Sequence, residues 1–252
     1  MASRFRRTRI RTVPAATFVL ALALAGAIHL AAQAPGSAAP EVVVNTDPAL
    51  RLRGFAQHEA MAAASPSKDV KWQWIGPKNI SGRAIDIAVV APRGRNYTVY
   101  VATASGGLWK TENEATTWQP VFERGPATTI GDVTIAPSNP NIVWVGTGEA
   151  NIFRSSQAGI GVYKSADAGK TWQHMGLADT YTIPRIVIHP TNPDIVYVAA
   201  SGHEWTVNAE RGVYKTTDGG KTWAKVLGAG EWTGVTDVAL DPRNPDVLYA
   251  AT

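Results

Sequence analysis

A period of just over fifty residues runs through most of this chain and limits the folds open to it more than any other feature. Three markers keep that spacing. The first is a Gly-apolar-aromatic-Lys-Ser/Thr run that begins at residues 107, 161 and 212, and the second is a Pro-Xaa-Asn-Pro turn whose first proline stands at 137, 190 and 242. The third is an eight-residue segment that reads TENEATTW at 111–118, SADAGKTW at 165–172 and TTDGGKTW at 216–223. Three markers in one register indicate a repeated structural unit.

Each unit predicts four short strands separated by turns. In the third unit, PRIVIH (184–189) is apolar enough for an inner strand, and the turn PTNPD leads into the β-branched run IVYVAAS (195–201). The strands RGVYKTT (211–217) and KTWAKVL (221–227) follow, joined by an Asp-Gly-Gly turn. Four-stranded units of about 40 to 50 residues without intervening helices are typical of β-propeller blades.

We therefore predict an all-β fold, a β-propeller of four-stranded blades at about 84–125, 130–178 and 182–229 with a half blade at 235–252. Propellers close with roughly four to eight blades. Three and a half blades make an incomplete propeller. Residues 71–252 are accordingly predicted to be the N-terminal part of a longer protein, with the remaining blades as its partners.

The segment TTDGGKTW contains the tail of a phosphate-binding loop, but its surroundings favour a turn. Lys215 stands where such a loop requires its first glycine, and the residues that follow are strand-like rather than helical. In a hairpin turn, Asp218 would cap backbone N–H groups, Gly220 would adopt a positive φ, and Trp223 would bury its ring between units.

This segment resembles the Asp-box, S/T-x-D-x-G-x-T-W, of the BNR-repeat, sialidase-like and sortilin-like propellers. The opening run WQWIGPKNISGRAIDIAV (72–89) is similar to the start of large secreted bacterial proteins labelled BNR-repeat or sortilin-like glycosyl hydrolases, and the resemblance covers residues 72–252. It implies a structural role on the outer hairpin of each blade for Ser165, Asp167, Gly169, Thr171, Trp172, Thr216, Asp218, Gly220, Thr222 and Trp223. The first copy has Asn113 and Ala115 in place of Asp and Gly, so we expect its turn to be the least well formed.

The N-terminus has the composition of an export signal. Five of the 24 Lys and Arg residues precede residue 12, and an apolar run from Val13 to about Leu30 ends near small-residue cleavage sites. Residues 1–34 are therefore predicted to be a signal peptide or an N-terminal anchor, and the protein to be exported in a bacterium, to the periplasm, the cell surface or the medium. Without this leader the charge is about −1, which does not favour nucleic acid. We predict that the protein contacts a membrane only if this leader stays uncleaved.

Residues 35–70 are predicted to be a linker rich in Ala, Pro and Ser. Asp47 and Pro48 form a suitable N-cap and first position for one short helix. The chain contains no cysteine, so disulfides are excluded and stability must come from packing.

Two loops between second and third strands are long enough to carry function. They span 146–161 and 200–212, and each contains an acid, an aromatic residue and an arginine that a simple turn does not require. Trp205 and Trp232 do not fit the repeat, unlike the other Trp residues. Asp86, Asp132 and Asp237 recur once per unit, which is more typical of turn caps than of catalysis. The candidate binding residues are Glu149, Arg154, His203, Glu204, Trp205 and Arg211 in the loops, with Arg83 and Arg185 at inner-strand entrances.

No catalytic residue, metal ligand or cofactor is assigned from the sequence. Nucleotide, haem and zinc signatures are missing, and His174, His189 and His203 lack metal-ligand spacing. Glycoside hydrolysis requires two carboxylates about 5 to 10 Å apart. Sialidase-like enzymes carry Arg-Ile-Pro near the first blade, and this chain has only TIPRI (182–186), in the wrong blade. The xyloglucanase-type propellers carry an Asp in T-D-x-G-G after the second strand, where this chain has TASGG (103–107) with Ala104 at the acid position.

The sequence therefore favours an exported binding scaffold for a glycan, a peptide or an envelope protein. Two alternatives stay open. One is a glycoside hydrolase of the sialidase or xyloglucanase type, with its acids outside this segment or in the long loops. The other is an assembly factor for a membrane complex.

Overall fold

The computed structural model describes residues 47–70, 83–91, 94, 97–152 and 156–252. The predicted leader, Trp72, Trp74 and Arg154 lie outside the described residues. Within them, no helix has both the length and the apolar character needed to span a bilayer. The described part contains the helix α1 (Pro48–Ala64) and the strands β1 (Ala84–Val89), β2 (Val99–Thr103), β3 (Leu108–Thr111), β4 (Gln119–Pro120), β5 (Ile130–Ile135), β6 (Val143–Thr147), β7 (Val162–Ser165), β8 (Gln173–His174), β9 (Arg185–Ile188), β10 (Val196–Ala200), β11 (Gly212–Thr216), β12 (Ala224–Leu227), β13 (Asp237–Asp241) and β14 (Asn244–Ala251).

The helix begins at the residues that the sequence indicated. Asp47 accepts a hydrogen bond from the backbone N–H of Ala49 at 2.9 Å, and Pro48 occupies the first helical position. Arg51 then anchors the helix to the sheets, because its guanidinium donates to the carbonyls of Gly159 at 2.6 Å and Ala178 at 3.4 Å.

The strands form three four-stranded antiparallel sheets and one two-stranded sheet. Each of the three sheets runs in chain order, as β1-β2-β3-β4, β5-β6-β7-β8 and β9-β10-β11-β12, and β13 pairs with β14. The prediction of an all-β propeller built from four-stranded blades is therefore confirmed. The first strand of every sheet lies at an inner edge, and β1, β5, β9 and β13 are adjacent in that order.

The hydrophobic core is divided into layers that lie between consecutive sheets. Tyr100 and Leu108 of the first sheet are fully buried and pack with Val133 of the second. Trp144 of the second sheet packs in the same way with Ile186 of the third. A third layer joins the third sheet to β13. Successive strand residues point to opposite faces, so the second and third sheets contribute to the layers on both of their sides.

We call residues 111–118, 165–172 and 216–223 the box turns. They connect β3 to β4, β7 to β8 and β11 to β12. In the third box turn, Asp218 accepts from the backbone N–H of Thr222 at 3.0 Å and from the hydroxyls of Thr216 and Thr222, both at 2.7 Å. Gly220 has a φ of 96° and donates its N–H to the Thr216 hydroxyl at 3.0 Å. The polar side chains that recur in this segment are thus hydrogen-bonded within the turn.

The tryptophan of a box turn ties its hairpin to the preceding blade. The Trp223 indole donates to the carbonyl of Met175 at 2.6 Å, and its ring meets Trp144 edge to face at 6.0 Å. The Trp172 indole donates to the carbonyl of Val121 at 2.7 Å. Both rings join one blade to the next.

The first box turn keeps these hydrogen bonds despite its altered sequence. Asn113 accepts from the N–H of Thr117 at 2.9 Å and from the hydroxyl of Thr111 at 3.1 Å, as Asp does in the other copies. The cost lies in the backbone at Ala115, which has a φ of 65° at the place where the other two copies have glycine. Side chains disfavour that region, so the departure from the motif costs strain and not turn formation.

We predict that Asp218→Ala lowers the melting temperature by several degrees at neutral pH, because three hydrogen bonds to its carboxylate are lost. These bonds, led by that to Thr222, hold the pKa of Asp218 below its usual value. The stabilisation is therefore complete above the ordinary Asp pKa of about 4 and is lost as the pH falls further. Melting curves against pH measure this effect, with the exposed Asp246→Ala as control. A ligand affinity that falls at unchanged stability would show that the turn is a binding site instead.

Candidate functional site

A cavity of about 280 Å³ opens at the inner strands, on the side of the long loops. Its charged lining consists of Asp86 on β1, Asp132 on β5, Arg185 on β9 and Asp237 on β13. These four residues stand at matching places in their sheets, since each is paired across the sheet with Ala102, Gly146, Ala199 or Ala251. The repeat therefore brings one charged side chain from each sheet to the same cavity.

Arg185 is the cation that holds the three carboxylates together. Its Nη1 lies 3.1 Å from Oδ1 of Asp132 and 3.8 Å from Oδ1 of Asp86, and its Nε donates to Asp237 at 2.9 Å. The side chain of Arg185 is 39% exposed, so the guanidinium is reachable from the cavity. The prediction that Arg185 faces the channel agrees with this placement, and its binding role stays a prediction.

Two of the aspartates also connect consecutive inner strands. Asp86 accepts from the backbone N–H of Val133 at 3.1 Å, and Asp132 accepts from that of Ile186 at 3.0 Å. In each case the donor follows the matching position of the next sheet. Because the donors are edge N–H groups of inner strands, these carboxylates satisfy groups that would otherwise face the cavity.

Asp132 is fully buried, and its environment opposes its ionisation. Burial and the neighbouring Asp86 raise the pKa of Asp132 to about 8, against the stabilising effects of Arg185, Thr134 and the Ile186 N–H. A side chain with no exposed surface cannot meet a ligand directly. We therefore regard Asp132 as a positioning residue for Arg185.

Glu149 is the buried acid of the first long loop. It stands two residues after the end of β6, and only 2% of its side chain is exposed. Its carboxylate forms an ion pair with Arg83, which stands immediately before β1 and is 44% exposed. The structure thus brings two of the predicted binding residues together across the boundary between the first and second blades.

Arg211 and His203 fix the second long loop from within. The Arg211 guanidinium donates to the carbonyls of Ser201 at 2.6 Å and Thr206 at 2.9 Å, and to that of His203. The His203 ring stacks on Tyr181 with centroids 3.5 Å apart. Burial lowers the pKa of His203, against the effect of Asp179. Both residues are therefore occupied in holding the loop.

Glu204 and Trp205, the next two residues of that loop, face the solvent more openly. Burial raises the pKa of Glu204, and a hydrogen bond with Ser156 of the first long loop opposes that rise. The Trp205 side chain is 78% exposed. The sequence-predicted residues thus separate by place: Arg83 with Glu149, Arg185 in the cavity, His203 and Arg211 inside the loop, and Glu204 and Trp205 on its surface.

Sequence reasoning did not select the aspartates of the cavity or Tyr181. The aspartates were visible as an acid recurring once per unit, but the pattern did not show that one arginine binds all three. Tyr181 lies between repeats, with a φ of 59° that few non-glycine residues adopt. Within the described part of the chain, no three His, Cys, Asp or Glu side chains are grouped to hold a metal ion.

No protein-family model matches the chain. A curated protein of Neosartorya fischeri, described as a probable oligoxyloglucan-reducing end-specific xyloglucanase, is 30% identical over 101 residues, which are 38% of this chain and 10% of that protein. Among solved structures, an ancestral GH74 enzyme aligns with a TM-score of 0.55 at 21% identity over 71% of this chain and 23% of its own. A GH74 enzyme of Niastella koreensis aligns with a TM-score of 0.48 at 25% identity over 61% of this chain and 23% of its own.

The chain therefore spans about a tenth of the curated relative and about a quarter of these solved structures. The first structure shows that the fold is that of a β-propeller. The curated relative is described as a xyloglucanase, and this likeness agrees better with the hydrolase alternative than with the binding scaffold that the sequence favoured. The finer resemblance to BNR-repeat and sortilin-like proteins stays a prediction.

We predict that the stability of the protein falls between about pH 4 and pH 8 in a way that depends on Asp132. Its pKa is raised on folding, so the fold favours the protonated form, and stability decreases as the pH rises towards the folded value of about 8. Asp132→Asn should flatten this part of the curve in denaturant titrations at several pH values. Asp237→Asn, at the more exposed partner of Arg185, should leave the slope in place. Equal slopes in the wild type and Asp132→Asn would contradict the assignment.

Proposed function

We propose that the chain is part of an exported propeller glycoside hydrolase that cleaves a polysaccharide at the cavity of the inner strands. One observation carries the proposal: a half-buried carboxyl, Glu204, lies on the loop whose residue Ser201 lines a cavity containing Asp86 and Asp237. Glycoside hydrolysis needs one carboxyl that holds a proton and one that is ionised. This part of the chain supplies candidates for both.

Glu204 suits the general acid. Burial raises its pKa, which favours the protonated form that a leaving oxygen requires. It is also partly exposed, so a sugar could reach it, whereas Asp132 is enclosed.

Asp237 suits the second carboxyl by its place. Its side chain is 56% exposed, and Arg185 donates to it at 2.9 Å, which holds it at the cavity. Asp86 is 22% exposed and has Arg185 at 3.8 Å. Either could activate a water molecule or stabilise positive charge on the sugar ring.

The curated relative supports xyloglucan as the substrate, since its description is that of a xyloglucanase. The relative matches 38% of this chain, so the substrate is a proposal for the whole protein. Export of the protein, as its leader predicts, would bring it to such a polymer.

A binding scaffold remains the second candidate, and Ala104 is the observation that favours it. Ala104 is buried, and its N–H donates to the carbonyl of Arg83 at 3.1 Å. Its methyl group cannot transfer a proton at the place where the resemblance to xyloglucanase-type propellers implies an aspartate. If this position was decisive for catalysis, the propeller would bind a glycan, peptide or envelope protein without cleaving it.

We predict that the full-length protein releases reducing ends from xyloglucan oligosaccharides and that Glu204→Gln lowers kcat by about 10²- to 10⁴-fold. The reason is the loss of the proton donor at nearly unchanged shape. Glu123→Gln is the matched control, because it removes an exposed carboxyl from the connection between β4 and β5, outside the proposed site. Thermal melts of both variants separate catalysis from folding.

Retained binding without any turnover by the wild type would reject the hydrolase in favour of the scaffold. Turnover that persists in Glu204→Gln would show that another residue is the general acid. In that case Glu149→Gln and Asp237→Asn are the next variants, and Ala104→Asp tests whether the absent carboxylate limits the rate.

A further inference from the structure

Two tryptophans stand out from the surface on the side of the long loops. Trp205 and Trp232 are each 78% exposed, more than any other large hydrophobic side chain of the described residues. The repeat accounts for Trp118, Trp172 and Trp223 in the box turns, but it does not account for these two. An exposed indole leaves a large apolar area in water, so two of them on one face indicate a surface that is covered in use.

The loop that carries Trp205 is held in its conformation by buried contacts. Arg211 binds three carbonyls of the loop, and His203 is stacked on Tyr181. Tyr181 is itself covered by Arg51 of α1, whose Cζ lies 4.8 Å from the ring centroid. The exposure of Trp205 is therefore imposed by a built loop, and a ligand would meet a ring that needs little ordering.

The two rings are close enough to act on one ligand. The N–H of Asn208 donates to the carbonyl of Glu231 at 3.1 Å, which joins the loop of Trp205 to the residue beside Trp232. Since a chain extends by at most about 3.6 Å per residue, the backbones of the two tryptophans lie within roughly 20 Å of each other.

The charges around the rings limit the kind of ligand. Glu204, Glu210 and Glu231 lie in the same two connections, 201–211 and 228–236. Arg211, the only Lys or Arg within these connections, is buried, and Lys225 of β12 reaches them by donating its Nζ to the carbonyl of Ala209 at 2.6 Å. The three carboxylates outnumber these two cations, so a polymer with carboxylate or sulfate groups is disfavoured, whereas hydroxyl groups could donate to these acids.

We propose that Trp205 and Trp232 form a two-ring platform that holds a neutral polysaccharide chain beside the cavity of the inner strands. The C–H faces of sugar rings would cover the indoles, and their hydroxyls would donate to the surrounding glutamates. Three carboxylates lie in the same connections as the two rings and the exposed Val207, and this polar setting favours a sugar chain over a protein partner, whose contact would require a packed apolar patch. The proposal rests on the proposed function for its substrate class, but it concerns binding and not cleavage.

The test is native gel electrophoresis of the full-length protein in gels that contain xyloglucan, hydroxyethyl cellulose or polygalacturonate. We expect the two neutral polymers to retard the wild type and polygalacturonate to have no effect. Trp205→Ala and Trp232→Ala should each weaken the apparent affinity about ten-fold, and the double variant more. Trp232→Phe should recover most of the loss.

Trp118→Ala is the matched control, because Trp118 is 38% exposed but lies in a box turn. It should bind as the wild type does. Thermal melts of the Trp205 and Trp232 variants should agree with the wild type, since these two rings make little packing contribution.

Unchanged retardation in the double variant, or no retardation of the wild type by either neutral polymer, would overturn the platform. So would tryptophan-dependent binding of an alternating leucine-lysine peptide in place of the polysaccharides. Hydrolysis is measured separately on short oligosaccharides. Binding that depends on the tryptophans without any hydrolysis would reject the proposed hydrolase and support the platform. Hydrolysis with binding that does not depend on the tryptophans would support the hydrolase and reject the platform.

Discussion

Burial of sheet faces against neighbouring sheets is the constraint on which the rest of this structure depends. The second and third sheets have apolar residues on both faces, and only the sheets before and after them cover these residues. The rings of Trp172 and Trp223 extend that contact to the outer hairpins, where each donates to a carbonyl of the preceding blade. The period of the sequence follows from this requirement, because every blade must offer the same two surfaces.

The same arrangement leaves the connections on one side free to differ. Loops 146–161 and 200–212 are much longer than the turns at the other ends of their strands, and their internal polar groups are bound by buried side chains. Arg211 binds carbonyls of its own loop, and Glu149 pairs with Arg83 before β1, so both charged side chains are used to hold the structure. The side chains left at the surface, among them Glu204 and Trp205, are then the ones available for a ligand.

The fold could be predicted from the sequence because its signals are local and repeated. The Pro-Asn turns, the β-branched runs and the Asp-Gly-Gly turn each specify a short piece of backbone, and the period specifies their assembly. The site could be predicted only in part. Arg185 was selected by its place before an inner strand, but its bonds to Asp86, Asp132 and Asp237 join residues about fifty positions apart, and no local pattern reports such contacts.

Loop residues were the hardest to assign, because the sequence does not show which way a side chain turns. Arg211 and Trp205 were equal candidates by composition, yet one is enclosed by carbonyls and the other stands in solvent. Similarly, Asn113 and Ala115 indicated a weakened turn, whereas the turn keeps its hydrogen bonds and Ala115 has a strained, positive φ. The sequence motif alone does not distinguish a lost hydrogen bond from a strained backbone angle.

Arg185 occupies the position that Asp86, Asp132 and Asp237 hold in the other sheets. Had all four been acidic, the mouth of the inner strands would present charge of one sign all round and look alike from every blade. A single cation among them lies within 4 Å of a carboxylate from each of the other three sheets, so one side chain of the third blade offsets charge contributed by all of its neighbours. The repeat is thus broken at the one position where its faithful repetition would have placed four like charges together.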